Sequence, residues 1–146
     1  MEYLKPIARK LERYSEISQE ISHLEKDSQI LPILLRVSNG VEISREFKNR
    51  YGMDLVRLKD KVNLVELSED FDLQLLRKAN VLPIRKDEND WTIAVTDITD
   101  DRIQDIFRKT VELKGGKTNF VFAFPHEVKE ALKEDELILA YPTQFS

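Results

Sequence analysis

Lys114-Gly115-Gly116-Lys117-Thr118 comes nearest to a chemical motif in this chain, because it ends in Gly-Lys-Thr. A phosphate loop needs G-x-x-x-x-G-K-[ST] between a strand and a helix, so that helix N-terminal amides cradle the phosphates. Here the first glycine of that pattern falls on Val111, and the pattern of residues puts a helix before and a strand after. The stretch therefore reads as a glycine helix stop flanked by solvated lysines. His23 and His126 are far apart, and neither begins an H-x-x-x-H or H-E-x-x-H spacing, so both read as surface residues. Two acidic clusters, Glu66/Glu69/Asp70/Asp72 and Asp97/Asp100/Asp101, have the ligand type for Mg²⁺. Each also stands where a helix begins, and acids there are explained by the helix dipole and by capping. Cysteine is absent, which removes thiol catalysis, disulfides and Cys-based zinc sites. No G-x-S-x-G elbow and no S-x-x-K occurs. The expectation is a chain with no catalytic residues, no cofactor and no metal site.

The elements that carry these residues must come from 146 residues, enough for one compact domain or two small subdomains. Hydrophobic residues make up 41% and charged residues 34%, which excludes a wholly disordered chain. The net charge of −4 has the wrong sign for a general nucleic-acid binder. The densest basic stretch, Lys48 to Lys61, is interleaved with acids and lacks a recognition motif. No apolar run approaches a membrane span, and the N-terminus lacks the continuous apolar core of a signal peptide. Composition thus points to a soluble, intracellular protein without enzymatic chemistry.

Leu4, Ile7, Leu11, Tyr14, Ile17, Ile21 and Leu24 recur at steps of three and four and predict one long amphipathic helix. Such a stripe packs on its own domain or docks on another chain. If it docks, Leu4, Ile7, Leu11, Tyr14 and Ile17 are the expected partner contacts. Asp27 or Ser28 caps a second helix that Ser38-Asn39-Gly40 stops, and Ser44 opens a short third one closed by Gly52. Residues 53–67 read as extended. Beyond them the order is helix–strand–strand–helix–strand–helix, with DEND (87–90) as a hairpin turn and Gly115-Gly116 as a helix stop. The predicted class is α+β: an N-terminal helical subdomain, then a small, mainly antiparallel sheet covered by helices. Boundaries are expected at 1–66, 67–134 and a tail at 135–146 that reads as a last strand or a linker.

The run LLRKANVLPIRKDENDWTIAVTDITDDRIQDIFRKT resembles the N-terminal domain of type II secretion and type IV pilus assembly ATPases. Ala79, Val81, Leu82, Pro83 and Ile84 match that family's helix end and V-L-P-[IL] strand. Ile93, Ala94, Val95 and Asp97 match the alternating strand that follows, with Ile98 in place of the usual proline. The segments NFVFAFPHEVKEAL and NGVEISREFKNRYGMDLVRL are similar to the family's flanking elements, so the resemblance spans residues 34–132. Some members bind cyclic di-GMP through R-L-G-x-x-L-x-x-x-G-x(6)-L-x-x-x-L-x-x-Q. With Gly40 on the second glycine, Phe47 and Tyr51 take the later apolar positions, while Leu31, Ile33 and Asp54 replace the Arg, first Gly and Gln. The helical frame is kept without its ligand chemistry, so no cyclic di-GMP binding is expected.

The resemblance implies a non-catalytic adaptor that tethers a motor ATPase to the cytoplasmic domain of an inner-membrane platform protein. Its expected location is cytoplasmic, peripheral to the inner membrane through that partner, with no nucleic acid and no membrane insertion. The ATPase remainder is a further expected partner if these residues belong to a longer chain. The competing classes are a small-ligand or nucleotide sensor, a nucleic-acid-associated regulator and an enzyme. A ligand-dependent rise in melting temperature, salt-dependent DNA or RNA binding, and turnover would respectively mark them.

Overall fold

The computed structural model describes residues 2–58 and 69–140, with side chains through Leu132. It divides into two compact units, Met1–Leu55 and Val56–Ser146. The boundary expected at residue 66 lies outside the described residues.

The N-terminal unit is helical: α1 (Leu4–Ala8), a 3₁₀ turn (Tyr14–Glu16), α2 (Ser18–Ser22), α3 (Asp27–Val37) and α4 (Gly40–Tyr51). The single long first helix is not formed. After Ala8 the chain closes i→i+3 bonds, with Lys10 N–H on Ile7 O at 3.0 Å, Leu11 on Ala8 at 3.1 Å and Tyr14 on Leu11 at 3.1 Å. Successive tight turns carry every third or fourth side chain to the same side, so the stripe survives without a continuous helix. Helix α4 also starts four residues before the expected Ser44. Asn39 is its N-cap rather than part of a stop, its side chain accepting from Glu42 N–H at 2.9 Å. Gly52, at φ 72°, ends α4 as expected, its N–H on Lys48 O at 2.8 Å.

The ends of α1 and α3 cap each other across the unit. Asp27, the first residue of α3, accepts from Tyr3 N–H at 2.9 Å and Leu4 N–H at 2.9 Å, the free donors at the start of α1. Glu2 in return accepts from Asp27 N–H at 2.5 Å. Tyr51 donates its hydroxyl to Tyr3 O at 2.7 Å, fixing the end of α4 to the same corner. Burial pushes the Asp27 carboxyl above its ordinary pKa, against the two backbone donors that favour its charged form.

The C-terminal unit runs α5 (Leu73–Ala79), β1 (Leu82–Asp87), β2 (Asp90–Val95), α6 (Asp101–Glu112), β3 (Thr118–Phe122) and α7 (Pro125–Ala140). This is the predicted α+β class and element order. The strands form one sheet in the order β1-β2-β3. The hairpin β1/β2 is antiparallel and closes at Asp87↔Asp90, with Glu88 at a positive φ of 57° in its two-residue loop. A register shift between Pro83 and Arg85 makes Ile84 a bulge, and Pro83 lies on an edge strand where its missing N–H is tolerated. The pairing of β2 with β3 is parallel, so the sheet is mixed rather than mainly antiparallel. Alternation of side chains predicts a strand but carries no direction, and the helix α6 supplies the crossover that a parallel partner needs. The part of the expected tail at residues 135–140 is helical, as the end of α7.

Gly115 and Gly116 close α6 in a Schellman motif: Gly115 N–H bonds Glu112 O at 3.0 Å, and Gly116 N–H bonds Val111 O at 3.1 Å. Gly115 holds φ 80°, which glycine adopts without strain. Gly116 has a different reason for its size. A Cβ built on it would lie 1.7 Å from the carbonyl oxygen of Asn89 in the hairpin loop. The core of this unit gathers Phe71, Trp91, Phe107, Phe122 and Phe124, with Phe71 5.1 Å from Trp91 and 5.8 Å from Phe107 between ring centres.

Candidate functional site

The residues singled out for chemistry are used by the fold. Asp72 caps α5, accepting from Gln74 N–H at 2.9 Å, and Asp100 caps α6, accepting from Ile103 N–H at 3.1 Å. Asp97 accepts from Thr99 N–H at 3.0 Å and from its hydroxyl at 2.6 Å in the preceding turn. Asp70 does not stand in the first turn of α5. It bridges two cations instead, with Lys114 Nζ at 2.8 Å and Lys86 Nζ at 3.4 Å. The Lys114 hydrogen bond is the main cause that holds the Asp70 carboxyl below its usual pKa. Glu66 lies outside the described residues, and among those described no group of acids, histidines or cysteines is arranged to hold a metal.

In the phosphate-loop look-alike the Lys114 ammonium belongs to the Asp70 pair. The backbone N–H of Lys117 bonds Asp90 Oδ1 at 2.8 Å, pinning the start of β3 beside the hairpin. A partly open cavity lined by Asp70, Phe71, Lys86, Trp91, Val111 and Lys114 has about 20 Å³ of space, room for one water. His23 is exposed at the end of α2, and His126 is exposed with its ring stacked on Phe124 at 5.8 Å.

The five expected partner contacts are mainly core. Leu4 and Ile7 are 0% exposed, Ile17 is 1% and Leu11 is 3%, packed inside the N-terminal unit. Tyr14 alone keeps partial exposure, beside the outward charges of Glu12, Arg13 and Glu16. The periodic stripe turned inward because a unit this small needs it to bury α3 and α4. What faces outward there is polar, with Arg13 paired to Glu16 Oε1 at 2.8 Å and Arg36 to Glu20 at 2.6 Å.

The cyclic di-GMP frame also has a definite fate. Phe47 is buried in the N-terminal core, its ring 4.7 Å from Tyr51 and 6.2 Å from Tyr3. Leu31, on the Arg position, is 5% exposed and points into that core. Ile33 is half-buried, and Asp54, on the Gln position, is exposed and paired with Lys48 at 3.1 Å. No carboxamide or guanidinium stands at these three positions.

Sequence reasoning missed one surface. Ile106 and Leu113 are exposed apolar residues on α6, at 43% and 89%. Apolar spacing on this helix assigns Ile103, Ile106 and Phe107 to the buried side, whereas only Phe107 of the three is fully buried. Ile106 was placed on the wrong side, because 106 lies between the two faces and its hydrophobicity decided the reading.

No curated protein matches the chain. Among solved structures it is similar to MshE with cdg, at a TM-score of 0.52 and 12% identity over 89% of this chain and 88% of that one. It is also similar to the N-terminal domain of XpsE, at 0.47 and 13% over 84% of this chain and 96% of that one. At these identities the likeness is one of fold. Residues 51–137, more than half of the sequence, match the MshEN domain, and the chain belongs to that family.

Proposed function

We propose that this chain is a non-catalytic docking domain of a type II secretion or type IV pilus assembly ATPase. It tethers the motor to the cytoplasmic domain of an inner-membrane platform protein, and so works in the cytoplasm at the membrane's inner face. The observation that carries this reading is family membership in a chain whose acids and lysines serve as caps and ion pairs. No described helix is long and apolar enough to cross a membrane, which suits attachment through a protein partner. Around the N-terminal stripe, the contact is made by Tyr14 and its exposed charged neighbours rather than by the buried Leu4, Ile7, Leu11 and Ile17.

The test is retention of the purified chain by an immobilised platform cytoplasmic domain. Retention of the wild type is expected, with loss in a Tyr14→Glu, Arg13→Glu double variant. Undiminished binding by that variant sinks the surface assignment, and absent binding by the wild type sinks the docking role.

The MshE structure with cdg raises the nucleotide-sensor reading directly. Leu31 and Ile33 speak against its transfer to this chain, since an aliphatic side chain cannot grip a phosphate, and the Asp54 carboxylate has no amide donor and repels a phosphate. Calorimetry with cyclic di-GMP is expected to give no micromolar binding, and a micromolar dissociation constant would overturn this conclusion.

A further inference from the structure

Helix α6 carries two faces of different composition. Its inner face holds Phe107 at 0% and Val111 at 1% exposure. On the opposite side Arg102, Ile106, Lys109 and Leu113 follow one another at steps of four, three and four. These are the steps of a coiled-coil seam, with the two apolar residues at one core position and the two cations at the other. Leu113 lies just past the end of the helix but keeps helical backbone, at φ −61° and ψ −22°, so the seam continues through it. At about 1.5 Å per residue, Ile106 and Leu113 stand about 10 Å apart along the axis.

The charges on this helix are sorted. Asp101, Asp105 and Glu112 fall along one edge, and Asp105 is engaged with Arg108 of the same helix. Arg102 and Lys109 are exposed on the seam itself, and among the described residues no carboxylate lies within ion-pair distance of either. An exposed line of apolar and uncompensated cationic residues is complementary to one kind of helix, an amphipathic one bearing acids between its apolar residues. We propose that the outer seam of α6 is a docking face for such an acidic amphipathic helix of the partner; this names the partner's chemistry and rests on the docking reading above. Ile106 and Leu113 supply the buried contacts, while Arg102 and Lys109 set the partner's register and exclude basic helices.

The probe is a pair of designed helical peptides, identical except that the positions facing Arg102 and Lys109 carry Glu in one and Lys in the other. Fluorescence anisotropy at low and physiological salt is expected to show at least about tenfold tighter binding of the Glu peptide, weakening with salt. An Arg102→Glu, Lys109→Glu variant should reverse that preference, and an Ile106→Ser, Leu113→Ser variant should lose both peptides. All four positions are exposed, and the urea midpoint followed by Trp91 fluorescence verifies that each variant is folded. Equal affinity for the two peptides, or an unreversed preference in the charge variant, overturns the proposal. So does a concentration-dependent dimer that Leu113→Ser abolishes, which would assign the seam to a second copy. Platform-domain binding that ignores every α6 variant sinks the seam and leaves the docking role standing. Peptide selectivity without any platform binding does the reverse.

Discussion

Substituting Gly116 by alanine sets a collision against backbone. The added Cβ would sit 1.7 Å from Asn89 O, 2.6 Å from Asn89 C and 3.0 Å from Val111 Cγ1. Relief to an allowed separation of 3.0 Å requires a movement of at least about 1.3 Å, and the obstructing atoms belong to the hairpin loop rather than a flexible side chain. That movement pulls on two adjoining hydrogen bonds, Lys117 N–H to Asp90 Oδ1 at 2.8 Å and Trp91 N–H to Lys117 O at 2.9 Å. Overpacking costs about 1–3 kcal/mol, and each weakened bond adds up to about 1 kcal/mol. The expected loss is therefore about 3 kcal/mol, or roughly 12–24 °C in Tm for a unit of this size. Gly115→Ala is the matched control. Its Cβ meets nothing within 4 Å, and only the positive φ opposes it, at about 1 kcal/mol. The chain has a single tryptophan, Trp91, buried within this unit, so urea unfolding followed by its fluorescence reads the affected unit directly. A Gly116→Ala variant no less stable than Gly115→Ala would refute the close-approach argument.

Three further outcomes follow from the same geometry. The Asp70 carboxyl is held below its ordinary pKa, so its contribution is present above the unfolded value and is lost as pH falls through the folded one. In an Asp70→Asn variant, the unfolding free energy from urea titration at pH 7 should fall by about 0.5–1 kcal/mol, the pairs being partly exposed, and the gap to wild type should close near pH 2. Asp27 has the opposite sign: its folded pKa is raised, so its contribution is present at low pH and is lost as pH rises through the folded value. A carboxyl-carbon NMR titration should place its midpoint above 3.8, and a midpoint below that value would contradict the burial argument. Glu88 holds a backbone conformation that favours glycine, and Glu88→Gly should raise the unfolding free energy from Trp91-detected urea titration by about 0.5 kcal/mol. A lower value would show that the loop is not strained.

Local rules were legible and long-range ones were not. Asp72, Asp100, Gly52 and Gly115 act within a few residues of themselves, so their types and positions announced helix ends. Asp27 was recognised as a start of α3, yet its carboxylate serves the start of α1, 24 residues earlier. Nothing near it in the chain announces that partner. The stripe from Leu4 to Leu24 announced an apolar face without saying what covers it, and it indicated a long helix that is not formed. The fold buries that face except at Tyr14 and Leu24, and tight turns and α-helix turns place apolar residues at overlapping intervals. For β3, alternation indicated a strand and left its direction open. The outer seam of α6 escaped because hydrophobic spacing alone assigns a residue to the core, whereas exposure depends on which side the sheet occupies.

The mixed sheet also imposes an order of assembly. Strands β1 and β2 meet across a two-residue loop, a closure with little entropic cost, whereas β3 reaches β2 only through the connection from Thr96 to Lys117. Until α6 forms and folds back, the β2 edge carrying Ile93, Ala94 and Val95 stays unpaired. An apolar strand edge is a template for another chain. Helix α6 is thus a kinetic guard for the sheet, and its cap at Asp100 bears on the yield of soluble protein during refolding as well as on the stability of the finished fold.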